Sequence, residues 1–336
     1  MAKKKATGAD GEEEKEEAGD LNSKLSKEWK GKFLSGGELQ DNSLTSISTS
    51  SVKLDWALGG LYEGSIVELY GDNATGKSTF SLEVASNAIK LGKKVYYVDL
   101  ERKLREAQIN MIRDLDKAGL SIMYPDTAEE ALNMMEEVVR SVPGCVVILD
   151  SVSGLLPEVE DAEDASKVTM GTVAKFCAKM IRKLTGIACK NKCLLLFLNH
   201  KTASMQMYGP SDTVHGGKAI SNRASQRIEL SRTMGQLIKG PDGETVIGQV
   251  VRCKVVKNNV KRPFITVEVP IIYGQGIARE LDIFEFAVEL NVIDGTKKGW
   301  YGWKDQSLRK DEVLLKLLQD EAFKKEVVDE IKKVMH

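Results

Sequence analysis

The chain has 336 residues, of which 42% are apolar, and its formal net charge at pH 7 is −1. This apolar content suffices for a sizeable core, while the near balance of charge excludes a general attraction to nucleic acid or to an anionic membrane. No run approaches the roughly 20 apolar residues that span a bilayer. The five cysteines, an odd number, suit free thiols in a reducing compartment. We therefore expect a cytoplasmic protein with no membrane partner, in which any contact with a polyanion is local.

The start of the chain has a composition unlike the remainder. From residue 6 to residue 20 it contains seven acidic residues, one lysine and no large apolar side chain. Such a composition cannot offset the entropy lost on ordering, so residues 1–20 are predicted to be a disordered acidic tail. In residues 21–45, Leu25 and Trp29 begin an apolar pattern with helical spacing, which predicts a short amphipathic helix. Trp29 needs a surface to pack on, either in its own domain or on a neighbouring subunit.

Between residues 46 and 275, apolar runs alternate with helical patterns, which predicts parallel strands joined by crossover helices in an α/β domain. The predicted strands are 65–70, 94–99, 145–150 and 194–199. The predicted helices are 77–91, 103–118, 126–142 and 171–190. Alternating runs predict an antiparallel extension of the sheet at 225–231, 249–257 and 264–270. Residues 276–336 are predicted to form a small helical domain with a turn at Trp300–Trp303.

The most informative motif follows the first predicted strand of this core. It consists of Gly71, Asp72, Asn73, Ala74, Thr75, Gly76, Lys77, Ser78 and Thr79. Its glycines allow backbone N–H groups to point at phosphate oxygens, and the next helix presents its positive end to the same anion. The pattern predicts a P-loop, in which Lys77 reaches the β- and γ-phosphates of ATP and Ser78 binds Mg²⁺.

Two further predicted strands end in acidic residues. Asp150 ends the strand 145–150, and at the carboxyl end of a neighbouring strand it faces the same crevice as Ser78, where it helps to hold Mg²⁺. Asp99 and Glu101 end another strand, and a P-loop hydrolase needs a carboxylate that orients the attacking water. We assign this role to Glu101 and keep Asp99 as the alternative, since strand alternation does not separate them.

The strand predicted at 194–199 leads into Asn199 and His200, where a side chain can sense the terminal phosphate of a nucleotide. The segment that follows, up to residue 217, lacks a clear secondary-structure pattern, and long segments of this kind are usually functional or disordered. Tyr208 can stack on bases, and Gly216 and Gly217 before a helix can receive a phosphate. A surface loop without a ligand is the alternative.

Taken together, these residues resemble the RecA family of recombinases. The resemblance begins at residues 47–60, ISTSSVKLDWALGG, which lead into the P-loop. It continues in the family's order through 150–152, 170–171, 182–184, 216–217, 254–258, 263–264 and 272–277. Nearly the whole chain after the acidic tail is covered. Asn199 followed by His200 is more similar to phage recombinases of the UvsX type than to bacterial members, in which glutamine follows the asparagine.

The resemblance implies a RecA-like P-loop ATPase that forms a helical filament on single-stranded DNA and pairs it with homologous duplex DNA. ATP and Mg²⁺ then lie at the interface between subunits. Glu101 corresponds to the catalytic glutamate, and His200 replaces a glutamine that senses the phosphate. Lys257 corresponds to a lysine that reaches the γ-phosphate held by the adjacent subunit, and the helix around Trp29 docks on the next subunit. A partnership with single-strand-binding protein is left open.

The resemblance also implies two DNA-binding loops, at about 157–171 and 200–217. The DNA-binding residues of these loops and of the helices after them are then Met170, Gly171, Lys175, Arg182, Lys201, Tyr208, Gly216 and Gly217. Met170 and Tyr208 fall at the positions that separate base triplets, and the lysines, arginine and glycines fall where the family contacts the DNA strand.

Several departures from the family keep two other functions open. Asn259 stands where a second interface lysine is expected, and Arg105 and Gln108 stand where an aspartate and a tyrosine hold adenine. An accessory or mediator protein that binds ATP and DNA without exchanging strands is the first alternative. A hexameric helicase of the same fold is the second, and the paired loops and the matching end segments argue against it.

Overall fold

The computed structural model describes residues 21–29, 45–156, 170–203, 212–297 and 299–335. The chain divides into two units, Met1–Leu44 and Thr45–His336. In the first unit, residues 21–28 form a helix, α1, within the stretch for which a helix is predicted. The predicted acidic tail, residues 1–20, lies outside the described residues.

The second unit contains the remaining helices and strands. Its helices are α2 (Val52–Leu58), α3 (Lys77–Lys90), α4 (Glu106–Asn110), α5 (Ala128–Ser141), α6 (Met170–Lys190), α7 (Lys218–Arg223), α8 (Arg279–Glu289), α9 (Lys310–Gln319) and α10 (Glu321–Val334). Its strands are β1 (Ser46–Ile47), β2 (Leu61–Tyr62), β3 (Ile66–Gly71), β4 (Val95–Asp99), β5 (Leu120–Met123), β6 (Val146–Asp150), β7 (Leu194–Ala203), β8 (Asp212–Val214), β9 (Gln226–Lys239), β10 (Val246–Asn258), β11 (Thr266–Ile272), β12 (Gly276–Ile277), β13 (Asp294–Lys297), β14 (Trp300–Trp303) and β15 (Gln306–Arg309). Within the described ranges, none of the helices has the length and apolar character needed to cross a membrane.

A ten-stranded sheet forms the centre of this unit, in the order β12-β11-β10-β9-β3-β7-β6-β4-β5, with β8 paired to β7. The strands from β9 to β5 in this order pair in parallel. On the other side of β9, strands β10, β11 and β12 continue the sheet in antiparallel pairs. The sheet is therefore mixed and mostly parallel in its nucleotide-binding half, and the predicted α/β fold class is confirmed.

Neighbouring residues of the central strands pack into two different cores. Ile148 belongs to a core with α2 and α3, whereas Leu149 belongs to a core with α5 and α6. Because successive side chains of a strand point to opposite faces, a strand covered on both faces is apolar at nearly every position. This explains the continuous apolar runs from which the strands were predicted.

The prediction of one helix over residues 103–118 is wrong. The structure has only the short α4 there, followed by a 3₁₀ turn at Lys117–Gly119 and by β5, an edge strand that the sequence pattern did not indicate. The buried carboxylate of Asp99 accepts hydrogen bonds from the backbone N–H groups of Lys103 and Leu104, at 3.2 and 2.9 Å. These bonds hold residues 100–105 in a turn, so the helix cannot start at residue 103.

The prediction of a turn at Trp300–Trp303 is also wrong. These residues form β14, the middle strand of a three-stranded antiparallel sheet with β13 and β15. Trp303 is buried and packs edge-on against Phe323 of α10, with ring centroids 5.7 Å apart. The helical part of the C-terminal region, α8 to α10, packs around the same apolar cluster.

A buried carboxylate in α8 connects the C-terminal region to the core. Asp282 accepts hydrogen bonds from the Ser51 hydroxyl at 3.0 Å and from the backbone N–H of Val52, the first residue of α2, at 2.7 Å. Burial raises the pKa of Asp282 from 3.8 to about 7, although the charge of Lys53 and these hydrogen bonds oppose the rise. The carboxyl therefore caps a helix from a site that penalises its ionised form.

Because the pKa of Asp282 is raised from 3.8 to about 7, we expect the free energy of unfolding to fall as pH rises from about 4 to about 7. In this window the folded protein retains a proton that the unfolded chain has released, so stability falls by at most about 1.4 kcal/mol per pH unit. We expect Asp282→Asn to reduce this slope, because asparagine keeps an acceptor oxygen and cannot ionise. Urea unfolding across this pH range measures the effect, with exposed Asp311→Asn as the control. Identical pH slopes for Asp282→Asn and wild type would contradict the prediction.

Candidate nucleotide-binding site

The P-loop connects β3 to α3 at the carboxyl end of the parallel strands. Gly76 takes a left-handed conformation, with φ of 88°, immediately before α3, and no side chain caps this helix. The first N–H groups of α3 thus have no side-chain acceptor, and the helix dipole favours an anion in front of them. A Cβ atom on Gly71 would lie 2.2 Å from the carbonyl oxygen of Leu230, so the neighbouring strand requires glycine at this position.

Lys77 points back onto the loop that precedes it. Its ammonium donates hydrogen bonds to the carbonyl oxygens of Gly71 at 3.0 Å and Asp72 at 2.8 Å. Burial lowers the pKa of Lys77, and the nearby charge of Asp150 opposes this shift. Within the described chain no carboxylate forms an ion pair with Lys77, so its charge is available to a bound anion. This arrangement fits a nucleotide phosphate.

Ser78 and Asp150 lie together beside the P-loop. The Ser78 hydroxyl donates a hydrogen bond to Asp150 Oδ2 at 3.0 Å, and the Tyr97 hydroxyl donates to the same oxygen at 2.5 Å. Burial raises the pKa of Asp150, and these two bonds oppose the rise. A hydroxyl and a carboxylate are hard oxygen ligands of the kind that Mg²⁺ prefers, so the pair fits a magnesium nucleotide.

Glu101 lines a cavity of about 810 Å³ next to the P-loop. Its Oε1 accepts a hydrogen bond from the Ser151 hydroxyl at 2.5 Å, and its Oε2 accepts one from Lys103 Nζ at 2.5 Å. Burial alone would raise the pKa of Glu101, but the bonds from Lys103 and Ser151 outweigh it and hold the pKa below its usual value. Glu101 is therefore an ionised carboxylate facing the cavity.

The structure separates the two carboxylates that strand alternation left open. Asp99 is 1% exposed, and both of its oxygens accept backbone hydrogen bonds from the turn before α4. Glu101 lies past the end of β4, where it reaches the cavity. Asp99 thus shapes the turn, and Glu101 is the carboxylate that can contact a ligand.

The middle of β7 links this cavity to the segment predicted as the second DNA-binding loop. The strand continues to Ala203, past its predicted end at residue 199. Asn199 Nδ2 donates hydrogen bonds to Glu68 Oε1 at 2.9 Å and to the carbonyl oxygen of His215 at 3.0 Å. His200, the next residue, places Nε2 3.6 Å from Glu101 Oε1. Burial lowers the pKa of His200, and the Lys77 charge lowers it further. Two adjacent residues of β7 therefore face different partners: His200 lies beside Glu101 in the cavity, and Asn199 bonds the backbone of His215, just before Gly216.

Four of the predicted DNA-binding residues lie on α6 or pack against it. Lys175 and Arg182 are exposed on α6. Gly216 and Gly217 pack against the same helix, since a Cβ on Gly216 would come within 2.8 Å of Cys177 Sγ. Gly216 and Gly217 have φ values of 75° and 67°, a backbone that favours glycine.

The other predicted DNA-binding residues are placed differently. Lys201 is half-buried and forms an ion pair with Glu229 of β9. Met170 and Gly171 begin α6, and the side chain of Met170 lies outside the described parts. Tyr208 also lies outside the described residues.

Lys257 and the two predicted adenine-site positions contact other parts of their own chain. The Lys257 ammonium donates to the carbonyl oxygen of Asn222 at 2.9 Å and is not among the residues that line the cavity. Gln108 Oε1 accepts a hydrogen bond from the backbone N–H of Arg105 at 2.8 Å. Arg105 and Gln108 thus cap α4.

Sequence reasoning missed several residues of the site, and three of them make informative contacts. Tyr97 holds Asp150, and Lys103 pairs with Glu101. Arg232 of β9 donates to the carbonyl oxygen of Asn73 in the P-loop at 3.0 Å. Only Lys103 had a local signal, since it follows Glu101 by two residues. The contacts of Tyr97 and Arg232 join segments that are distant in sequence.

The sheet carries a glycine-rich loop and an uncapped helix at the carboxyl end of its parallel strands. This arrangement defines the class of P-loop nucleotide-binding α/β proteins. Comparison with known proteins narrows this class to one family. The family model for the RecA N-terminal domain matches residues 21–278, and the chain therefore belongs to the RecA family.

Curated relatives agree with this assignment. A RecA protein of Chloroherpeton thalassium is 35% identical over 295 residues, which cover 86% of this chain and 81% of that relative. A RecA protein of Sulfurimonas denitrificans is 33% identical over 313 residues, covering 91% and 89%. A RecA protein of Citrifermentans bemidjiense is 39% identical over 266 residues, covering 77% and 76%. The resemblance inferred from the motifs is confirmed.

Proposed function

We propose that this protein is a DNA-dependent ATPase that forms ATP-dependent filaments on single-stranded DNA and catalyses homologous pairing and strand exchange. The chain is a RecA-type protein, and its match covers most of each relative. The observation that carries the proposal is the hydrogen bond from Asn199 to the carbonyl oxygen of His215, together with the position of His200 Nε2, 3.6 Å from Glu101 Oε1. Through these two contacts a change at the terminal phosphate can alter the segment that ends in Gly216.

The proposed nucleotide roles follow from the geometry of the cavity. Lys77 exchanges its carbonyl partners for phosphate oxygens, and the N-terminus of α3 holds the same group. Ser78 and Asp150 would hold Mg²⁺, which supplies positive charge against the phosphates when bound. Glu101, held ionised by its hydrogen bonds, accepts a proton from the attacking water. His200, whose Nε2 lies 3.6 Å from Glu101 Oε1, senses the terminal phosphate.

The proposed DNA surface is supported by the packing of Gly216 and Gly217 on α6. Lys175 and Arg182 on this helix supply positive charge for the phosphate backbone, and backbone N–H groups near Gly217 supply neutral donors. Since the chain as a whole carries almost no net charge, its DNA affinity depends on such local groups and should weaken with salt.

We propose that Lys257 and helix α1 both act between subunits of the filament. The Lys257 ammonium donates to the carbonyl oxygens of Ser221 and Asn222, and from the family resemblance we assign it to the γ-phosphate held by an adjacent subunit. We assign helix α1 to docking on the next subunit. Homologous duplex DNA and other copies of the chain are thus the proposed partners.

Nucleotide-dependent DNA binding tests this function. We expect the affinity for single-stranded oligonucleotide to be about ten-fold or more higher with Mg²⁺ and a non-hydrolysable ATP analogue than with ADP or no nucleotide, because allosteric coupling energies commonly have this size. Fluorescence anisotropy at fixed salt measures it, and electron micrographs of the analogue complex should show helical fibres. Equal affinity in all three states would refute the coupling. Rings would favour a helicase, and DNA binding without joint-molecule formation would favour a mediator.

A further inference from the structure

A buried tyrosine contacts the carboxylate of the proposed magnesium site. Tyr97 lies on β4 and is 0% exposed. Its hydroxyl donates a hydrogen bond to Asp150 Oδ2 at 2.5 Å, and the Ser78 hydroxyl donates to the same oxygen at 3.0 Å.

We propose that Tyr97 is a positioning residue for the divalent cation, because its hydroxyl fixes the orientation of the Asp150 carboxylate. The inference rests on the proposed function, since it assumes that Ser78 and Asp150 hold Mg²⁺. In the described part of the chain, both hydrogen bonds to this carboxylate end on Oδ2. Oδ1 therefore remains for the cation or for a water molecule bound to it.

A bound cation would change which of the two hydroxyls, Ser78 or Tyr97, donates to Asp150 Oδ2. As a cation ligand, Ser78 directs an oxygen lone pair at the metal, and its hydroxyl proton turns towards another acceptor. Tyr97 is then the remaining donor to Oδ2, and it keeps the carboxylate from rotating. Groups that orient a metal ligand in this way typically change metal affinity by 10–100-fold when they are removed.

The Tyr97 hydroxyl could instead serve only the stability of the fold, and this role predicts a different result. A buried tyrosine needs a hydrogen-bond partner, and any partner serves this need. If satisfying the hydroxyl were its whole role, removal of the oxygen atom would change stability and leave the cation requirement as it is. The cation requirement is therefore the readout that separates the two roles.

Tyr97→Phe tests the proposal, because it keeps the ring in the core and removes one oxygen atom. Tyr96→Phe is the matched control: the same change at the adjacent position of β4, where the side chain packs on the opposite face of the sheet. A fluorescent, non-hydrolysable ATP analogue is titrated with Mg²⁺ in the full-length protein. We expect the Mg²⁺ concentration for half-maximal binding to rise about ten-fold in Tyr97→Phe and to stay unchanged in Tyr96→Phe.

Melting temperatures of the metal-free variants show whether each one is folded. A Tyr97→Phe protein that melts like wild type, or somewhat lower, and needs more Mg²⁺ supports the positioning role. A folded Tyr97→Phe protein with an unchanged Mg²⁺ requirement overturns it. Wild-type protein that binds the analogue equally with and without Mg²⁺ would instead overturn the magnesium site of the proposed function.

Discussion

Replacement of Lys77 by alanine is expected to lower DNA-stimulated ATP hydrolysis by about 10²–10³-fold, the effect of removing a principal electrostatic stabiliser of developing charge. The ammonium lies in a buried position beside the uncapped N-terminus of α3, with carbonyl oxygens as its hydrogen-bond partners. A cation in such surroundings interacts strongly with an anion, because water screens the pair poorly. Phosphate release at saturating DNA and ATP measures the loss.

Lys90→Ala is the matched control for this substitution. Lys90 lies at the other end of α3 and forms an exposed ion pair with Asp114, so its removal should leave turnover unchanged. Melting curves show that each variant is folded. Turnover of Lys77→Ala within two-fold of wild type would exclude the P-loop from the reaction.

Glu101→Gln is expected to slow hydrolysis by about 10²–10⁴-fold, the range typical of a general base, and to preserve nucleotide-dependent DNA binding. Glutamine keeps the shape of the side chain and an oxygen acceptor for the Ser151 hydroxyl. It cannot take a proton from water, and it loses the ionic contact with Lys103. Binding and chemistry should therefore separate in this variant.

Two measurements on the same protein establish that separation. Steady-state ATP hydrolysis gives the loss of turnover. Anisotropy with ATP itself follows DNA binding, and the DNA complex of the variant should persist longer than that of wild type because its ATP is not hydrolysed. Glu106→Gln, which affects an exposed ion pair with Lys117, is the control. Loss of DNA binding in Glu101→Gln would assign Glu101 a structural role instead of a catalytic one.

Local sequence patterns predicted the parallel core because the burial of each strand and the backbone freedom of the P-loop depend on residues adjacent in sequence. Strands buried on both faces are apolar at nearly every position, and Lys77 and Ser78 follow two glycines whose backbone freedom a phosphate loop requires. The same reasoning placed Asp150 beside Ser78, since carboxyl ends of parallel strands meet at one edge of a sheet. The two side chains do meet, at 3.0 Å, although β7 lies between β3 and β6, and their role in holding Mg²⁺ stays a prediction.

The same patterns failed where a distant contact overrides local preference. Residues 103–118 have helical spacing, yet the buried carboxylate of Asp99 fixes a turn at their start. Trp300–Trp303 was predicted to be a turn, but it pairs with β15 and Trp303 packs on Phe323. Propensity is a weak preference that packing readily outweighs.

The sequence by itself determined the class of fold, the phosphate loop and the family, because apolar periodicity and motif spacing record which residues must be adjacent along one element. The tertiary structure alone decided which side chains meet across elements. It chose Glu101 over Asp99 for the cavity, brought Tyr97 to Asp150, and joined Asn199 to His215. Tyr97 and Asp150 are 53 positions apart in the sequence, and Arg232 and Asn73 are 159 positions apart. Their geometry depends on strand order and register, which no local pattern encodes.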